Sequence, residues 1–236
     1  MGLEPPMLSK GALKFAKRSV PQKPSLPLKP FNGTEKSTAK IQEDAAPSLS
    51  FDSLEALRAH VGDCRRCGLH TGRKNLVFGE GDEKARLLFV GEGPGSDEDR
   101  QGRPFVGKSG QLLTRIIENG MGLKRNEVYI CNVVKCRPPG NRDPNPDEIS
   151  VCLPFLKAQL SIIRPEVICA LGRVACQTLL GSAFRITRDR GHWRTYEDIP
   201  LMPTFHPAYL LRNPAAKRPV WDDVKSIMEK LGLEVT

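Results

Sequence analysis

The 236-residue chain has no run of about 18 apolar residues, so no membrane-spanning helix is expected. Its first residues hold no apolar segment of the signal-peptide kind, so no secretory route is expected. There is no internal repeat. The seven cysteines are an odd number and are not spread as a disulfide framework. They are expected to be reduced, in a cytoplasmic protein, and some of them free to ligate metal. The glycines match neither the dinucleotide fingerprint nor the P-loop. Membrane transport, disulfide scaffolding and nucleotide-cofactor chemistry therefore have no support.

What is present is basic. The net charge is +9, and residues 1–50 hold eight basic against four acidic residues. Such an excess favours an anionic partner such as nucleic acid. Residues 1–50 are rich in proline and lysine and poor in large apolar side chains. They read as a disordered basic tail, with one folded domain over residues 51–236.

From Phe51 onward the apolar spacing alternates between two periods. Leu54, Leu57 and Val61 share one face of a short helix. Apolar runs at Leu87–Gly91, Val128–Lys135, Val167–Leu171 and Leu201–Phe205 read as buried strands. Between them lie helical stripes. One is Leu112, Leu113, Ile116 and Ile117 behind a Ser109 cap. Another is Ile149, Leu153, Leu156, Leu160 and Ile163 behind Asn145-Pro146. A last helix from about Pro219 carries Val220, Val224, Ile227, Met228 and Leu231. Strands alternating with helices predict an α/β fold with a four-stranded parallel sheet covered on both faces. Ligands in such sheets bind at the carboxyl ends of the strands.

Four clusters carry chemistry. Gly91-Glu92-Gly93-Pro94-Gly95, with Glu98, Asp99 and Phe105 following, lets backbone amides approach a ligand and offers acids and a flat ring. The plain alternative is a glycine-rich turn with a core phenylalanine. Asn132 stands inside an apolar strand, where an amide needs partners and can pair with the edge of a base or with backbone. The loop after it holds Arg137, Asn141 and Arg142. His206 follows the fourth strand, where it can donate to a developing anion or simply cap a helix. Beside it, Tyr209, Leu210 and Leu211 form an apolar tip next to Arg212, suited to wedging into a base stack. Last, Cys64 and Cys67 make a C-x2-C pair, and Cys136 and Cys152 are separated by fifteen residues. Four thiolates fit either zinc or a 4Fe-4S cluster, and Cys152 also fits a core position.

In order, the segments CRRC, GEGPGSDEDRQGRPFVGKSGQLL, CNVVKCRPPGNRDPNPDEISVC and HPAYLLRNP resemble the motifs of family 4 uracil-DNA glycosylases, over about residues 51–231. The resemblance implies a three-layer α/β/α fold and a 4Fe-4S cluster held by Cys64, Cys67, Cys136 and Cys152. It implies an enzyme that removes uracil from DNA, single- or double-stranded; a monomer is expected, and with nothing to suggest a lysine Schiff base the enzyme is expected to be monofunctional. Phe105 would stack on the flipped uracil and Asn132 would read its edge. His206 would bond its O2, and Glu92 and Gly93 would line the pocket. Glu98 would stand near the C5 edge, and Asn141 would orient water or substrate. Tyr209, Leu210, Leu211 and Arg212 would engage DNA. Better-known uracil glycosylases carry an aspartate and a tyrosine where this chain has Gly93 and Gly95, which leaves the general base open. A related branch that traps DNA covalently has a histidine in the loop that here reads RPPGNRDPNP.

Overall fold

The structure is a computed structural model that describes residues 51–235. The tail expected over residues 1–50 lies outside the described residues.

Ser53 caps the first helix, α1 (Leu54–Val61), by accepting the Ala56 N–H. Leu54, Leu57 and Val61 are buried on its inner face. The remaining elements follow as β1 (Glu80–Gly81), β2 (Leu87–Gly91), α2 (Ser96–Gln101), α3 (Lys108–Arg115), β3 (Tyr129–Asn132), α4 (Pro146–Ile163), β4 (Val167–Leu171), α5 (Arg173–Leu180), α6 (Ile186–Asp189), β5 (Arg194–Tyr196), β6 (Ile199–Thr204), α7 (Pro207–Arg212) and α8 (Lys217–Lys230).

The sheet has six strands in the order β1-β3-β2-β4-β6-β5. This corrects the expected count of four. The central β3, β2, β4 and β6 are parallel, while β1 and β5 pair antiparallel at the edges. Every residue of β2 and β4 is buried. Alternation splits them between two cores. Leu88, Val90, Ile168 and Ala170 join residues of α1, α4 and α5 in one core. Leu87, Phe89, Val167 and Cys169 join residues of α3 and α8 in the other. The helices thus cover both faces, as continuous apolar strands require. Among the described residues, no helix is long and apolar enough to cross a membrane.

Four elements differ in their boundaries from expectation, among them β6, which runs Ile199–Thr204 rather than Leu201–Phe205. Strand β3 ends at Asn132 rather than Lys135. Beyond it, the amides of Val133 and Val134 donate to Gly91 and Glu92. Gly107, not Ser109, precedes the first residue of α3. Helix α8 begins at Lys217, with Pro219 in its first turn, where a missing N–H leaves nothing unbonded. The chain leaves β2 toward β3 on one side, and β4 toward β6 on the other. That reversal opens a crevice at the strands' carboxyl ends.

Candidate active site

The crevice is a cleft of about 420 Å³. The loop after β2 supplies Glu92, Gly93 and Gly95 to its wall, α2 supplies Glu98, and β3 ends in it at Asn132. Phe105, Asn141, His206, Tyr209 and Arg212 complete the lining named from the sequence.

Asn132 is 1% exposed, and its Oδ1 is buried without a hydrogen-bond partner. A buried acceptor left unpaired costs about 1–3 kcal/mol. Such a group is explained most simply by a ligand that donates to it. Gly91 beneath it must lack a side chain, because a Cβ there would stand 2.4 Å from Asn132 Oδ1 and 2.6 Å from Phe105 Cζ.

Phe105 is 5% exposed and adopts φ of 50°, in the left-handed region. An ordinary side chain gives up about 1–2 kcal/mol to sit there. Strain of this kind persists only where the surroundings impose it. The ring lies 5.5 Å from the His206 ring, centroid to centroid.

His206 precedes α7, and its Nδ1 accepts the Ala208 N–H at 3.1 Å. That bond places the neutral ring's proton on Nε2, leaving Nε2–H as a donor. Burial, aided by the nearby Arg212 charge, pulls the imidazole down to about 4. The ring is therefore neutral at physiological pH. Glu92 moves the other way. Burial, then the Asp143 carboxylate, push its carboxyl up to about 7, against the pull of Arg173. Arg173 itself pairs with Asp143.

Glu98 lines the cleft, but its Oε1 accepts the N–H groups of Val106 and Gly107, each at 2.9 Å. Its carboxylate secures the turn after Phe105. Asn141 is exposed at the rim, and its Oδ1 accepts from Arg137 Nε at 2.8 Å. The apolar tip needs correction. Residues 207–212 are the helix α7, and Leu210 is 2% exposed in the core. Tyr209 packs on Phe205 at 4.6 Å between ring centroids. Leu211, 42% exposed, and Arg212 are the members of that set that face outward.

Residues 78–225 match the family model described as Uracil DNA glycosylase superfamily. The chain belongs to the uracil DNA glycosylase superfamily. It is 47% identical over 187 residues to the type-4 uracil-DNA glycosylase of Sulfurisphaera tokodaii, covering 76% of this chain and 85% of that protein. Identity to the type-4 enzyme of Thermotoga maritima is 47% over 188 residues, 76% of this chain and 96% of the other. For the type-4 enzyme of Saccharolobus solfataricus it is 43% over 189 residues, 77% and 88%.

As a member of the superfamily, the chain has a second feature to account for. Cys64, Cys67, Cys136 and Cys152 line one small pocket with Arg73 and Lys135. All four are free thiols. Among the described residues no group of three or more His, Cys, Asp or Glu is arranged to hold a metal ion. A single zinc would need every sulfur about 2.3 Å from one point. A four-iron cluster gives each sulfur its own iron, so its ligands stand further apart. Donors already face three of the sulfurs. Arg66 Nη1 is 3.3 Å from Cys64, Arg73 Nη1 is 3.1 Å from Cys136, and the Lys135 N–H is 3.3 Å from Cys152. Those donors would help to hold charge on the sulfurs of a metal-bound set.

Sequence reasoning missed Lys135. It is 1% exposed, and its Nζ donates to the Asn132 carbonyl at 2.8 Å and to Gln159 Oε1 at 2.6 Å. A lysine inside the apolar run around Asn132 was the available signal. In this superfamily member it joins the cysteine pocket to the strand end that carries Asn132.

Proposed function

We propose that this chain is a monofunctional uracil-DNA glycosylase that flips deoxyuridine out of DNA and hydrolyses its N-glycosidic bond, so starting base excision repair. The observation that carries the reading is the orphaned Asn132 Oδ1, buried in a cleft beside a flat ring and a fixed neutral donor. Uracil presents an N3–H flanked by two carbonyls. The Asn132 amide complements that edge with its acceptor and donor. The 47% identity to type-4 uracil-DNA glycosylases supports the same substrate.

A base inside a duplex must leave the stack before it can be cut, at a cost of a few kcal/mol. Arg212 lines the cleft and Leu211 next to it in α7 is exposed, which supports a role for the pair in filling the gap and meeting a phosphate. Phe105 receives the base on its face, and Gly91 and Gly93 leave room for it. As the bond from N1 to the sugar C1′ breaks, the electron pair passes to uracil and charge gathers on O2. His206 Nε2–H donates to that oxygen. The sugar becomes cationic, and ionised Glu92 stabilises it. Asn141 stands at the rim, where its amide can orient substrate. Water adds to C1′ and gives up a proton, the uracil anion takes up one from solvent, and an abasic site and neutral uracil are left. No lysine lines the cleft among the described residues, which supports hydrolysis by water over a Schiff base. One chain supplies every group named, so the reaction needs no second copy.

Cys64, Cys67, Cys136 and Cys152 would hold a 4Fe-4S cluster. Its contribution is structural, tying the segment after α1 to the Arg137–Arg142 loop and α4.

The test is excision by anaerobically purified protein from oligonucleotides with one uracil or one thymine, read as alkali-labile abasic sites. Repeated turnover on uracil alone is the expected result. Folded protein that releases no uracil would overturn the reading.

A further inference from the structure

The peptide planes on either side of Phe105 set its φ and ψ, and each is held by a different charged side chain. After Phe105, Glu98 Oε1 takes the N–H groups of Val106 and Gly107. Before it, Arg125 Nη2 donates to the Pro104 carbonyl at 2.6 Å. In sequence Arg125 lies outside the cleft's motifs, between α3 and β3. Its guanidinium is fixed on two more sides. Nε and Nη2 reach Glu80 Oε1 on β1 at 3.1 and 2.8 Å, and Nη1 reaches Thr114 Oγ1 on α3 at 2.9 Å. Glu80 is steadied in turn by Arg103, at 2.8 Å. Below the turn, a Cβ on Gly110 would stand 1.9 Å from the Phe105 carbonyl carbon and oxygen, so the α3 backbone presses directly on Phe105. Phe105, a left-handed non-glycine residue, is thus held at both peptide planes and from beneath, which fixes where its ring is rooted.

From this we infer that Arg125 is a positioning residue for base recognition. Anchored by Glu80 and Thr114, it fixes the Pro104–Phe105 peptide and so holds the Phe105 ring where uracil stacks. The inference rests on the stacking role proposed for Phe105. Without Arg125, the Pro104–Phe105 peptide is free to turn, Phe105 relaxes toward negative φ, and the ring leaves its place. A misplacement of about 1 Å can cost about 100-fold in rate.

The experiment is a double-mutant cycle of Arg125→Met and Phe105→Ala. It reads uracil excision, inhibition by free uracil, and affinity for DNA holding an abasic analogue. Arg125→Met leaves Glu80 paired with Arg103, so no carboxylate is stranded. Arg125→Met should slow excision by about 10- to 100-fold and weaken free-uracil inhibition about 10-fold or more. Abasic-DNA affinity, which needs no base stacking, should hold within about 2-fold. In the Phe105→Ala background, Arg125→Met should change excision by less than about 2-fold, because its route of action is already gone. The inference is overturned by an equal loss in both backgrounds, by unchanged uracil inhibition, or by abasic-DNA affinity falling in parallel. If wild type cuts uracil but Phe105→Ala cuts as well as wild type, the inference fails while uracil excision stands. If wild type does not cut uracil, both fail. Should Arg125→Met not fold, Glu80→Gln loosens the same guanidinium and must show the same pattern at smaller size.

Discussion

The neutral state of His206 is an unusual demand on a group asked to face a developing anion. A protonated imidazole would attract that anion more strongly, yet the site forbids it. Nδ1 is occupied by the Ala208 N–H, so a second proton must break that bond. Burial and Arg212 bring the group down to about 4. It should therefore act as a neutral donor across the working range. Loss of one donor to a developing oxyanion costs about 100- to 1000-fold, or about 2.7–4 kcal/mol. His206→Ala should lose that much in single-turnover excision. The pH profile separates neutral from charged action. Because Glu92 titrates near 7, the comparison belongs in a Glu92→Gln background. There, the ratio of rates with and without His206 should stay flat from about pH 5.5 to about pH 8. A ratio falling about tenfold per pH unit above about pH 6.5 would show that imidazolium is required and refute the reasoning. Stability carries the same sign. The unfolded imidazole binds its proton near 6.5, while the folded one resists until about 4. His206 thus costs nothing above about pH 6.5, and stability drains away as pH falls from there toward 4. By about pH 4.5 the loss relative to His206→Gln should be about 2 kcal/mol.

Three further outcomes follow from the same geometry. In wild type, excision should rise with pH through about 7 as Glu92 ionises, and Glu92→Gln should be slow and flat there; a rate that falls through 7 would make protonated Glu92 the active form. Gly91→Ala places a methyl 2.4 Å from Asn132 Oδ1 and should abolish uracil excision with a smaller effect on melting temperature, whereas full activity would mean that uracil does not sit there. Cys152→Ser should lose iron per chain and lower the melting temperature while the cleft residues are unchanged; wild-type iron content would remove Cys152 from the cluster set.

Strands β2 and β4 were legible because each is an uninterrupted apolar run, the mark of a strand buried on both faces, while β3 and β6 were legible as mostly apolar runs that carry Asn132, and Pro203 with Thr204. The edges were not. Glu80–Gly81 and Arg194–Tyr196 are two or three residues long and partly polar, with no period to read. Asn132 stood out as a polar residue inside an apolar run and His206 as one just after another, and both line the cleft. Tyr209-Leu210-Leu211 reads as a greasy tip, yet at helical spacing Leu210 turns inward while Leu211 stays out. Glu98 was legible as an acid at the cleft, but the bonds of its Oε1 to backbone amides eight and nine residues on were not, because side-chain identities do not reveal them. The left-handed turn at Phe105 was hidden for the same reason: it is imposed by Arg125, Glu98 and Gly110, and Phe105 itself has no preference for it. The cysteines offered zinc, a cluster or core packing, and only the motif order favoured one.

The most direct test of the account is a crystal structure of the protein with free uracil. The account predicts uracil stacked on the Phe105 ring, its N3–H donating to Asn132 Oδ1 and its O2 accepting from His206 Nε2. Uracil bound with Asn132 Oδ1 still unpaired, or away from Phe105, would contradict it.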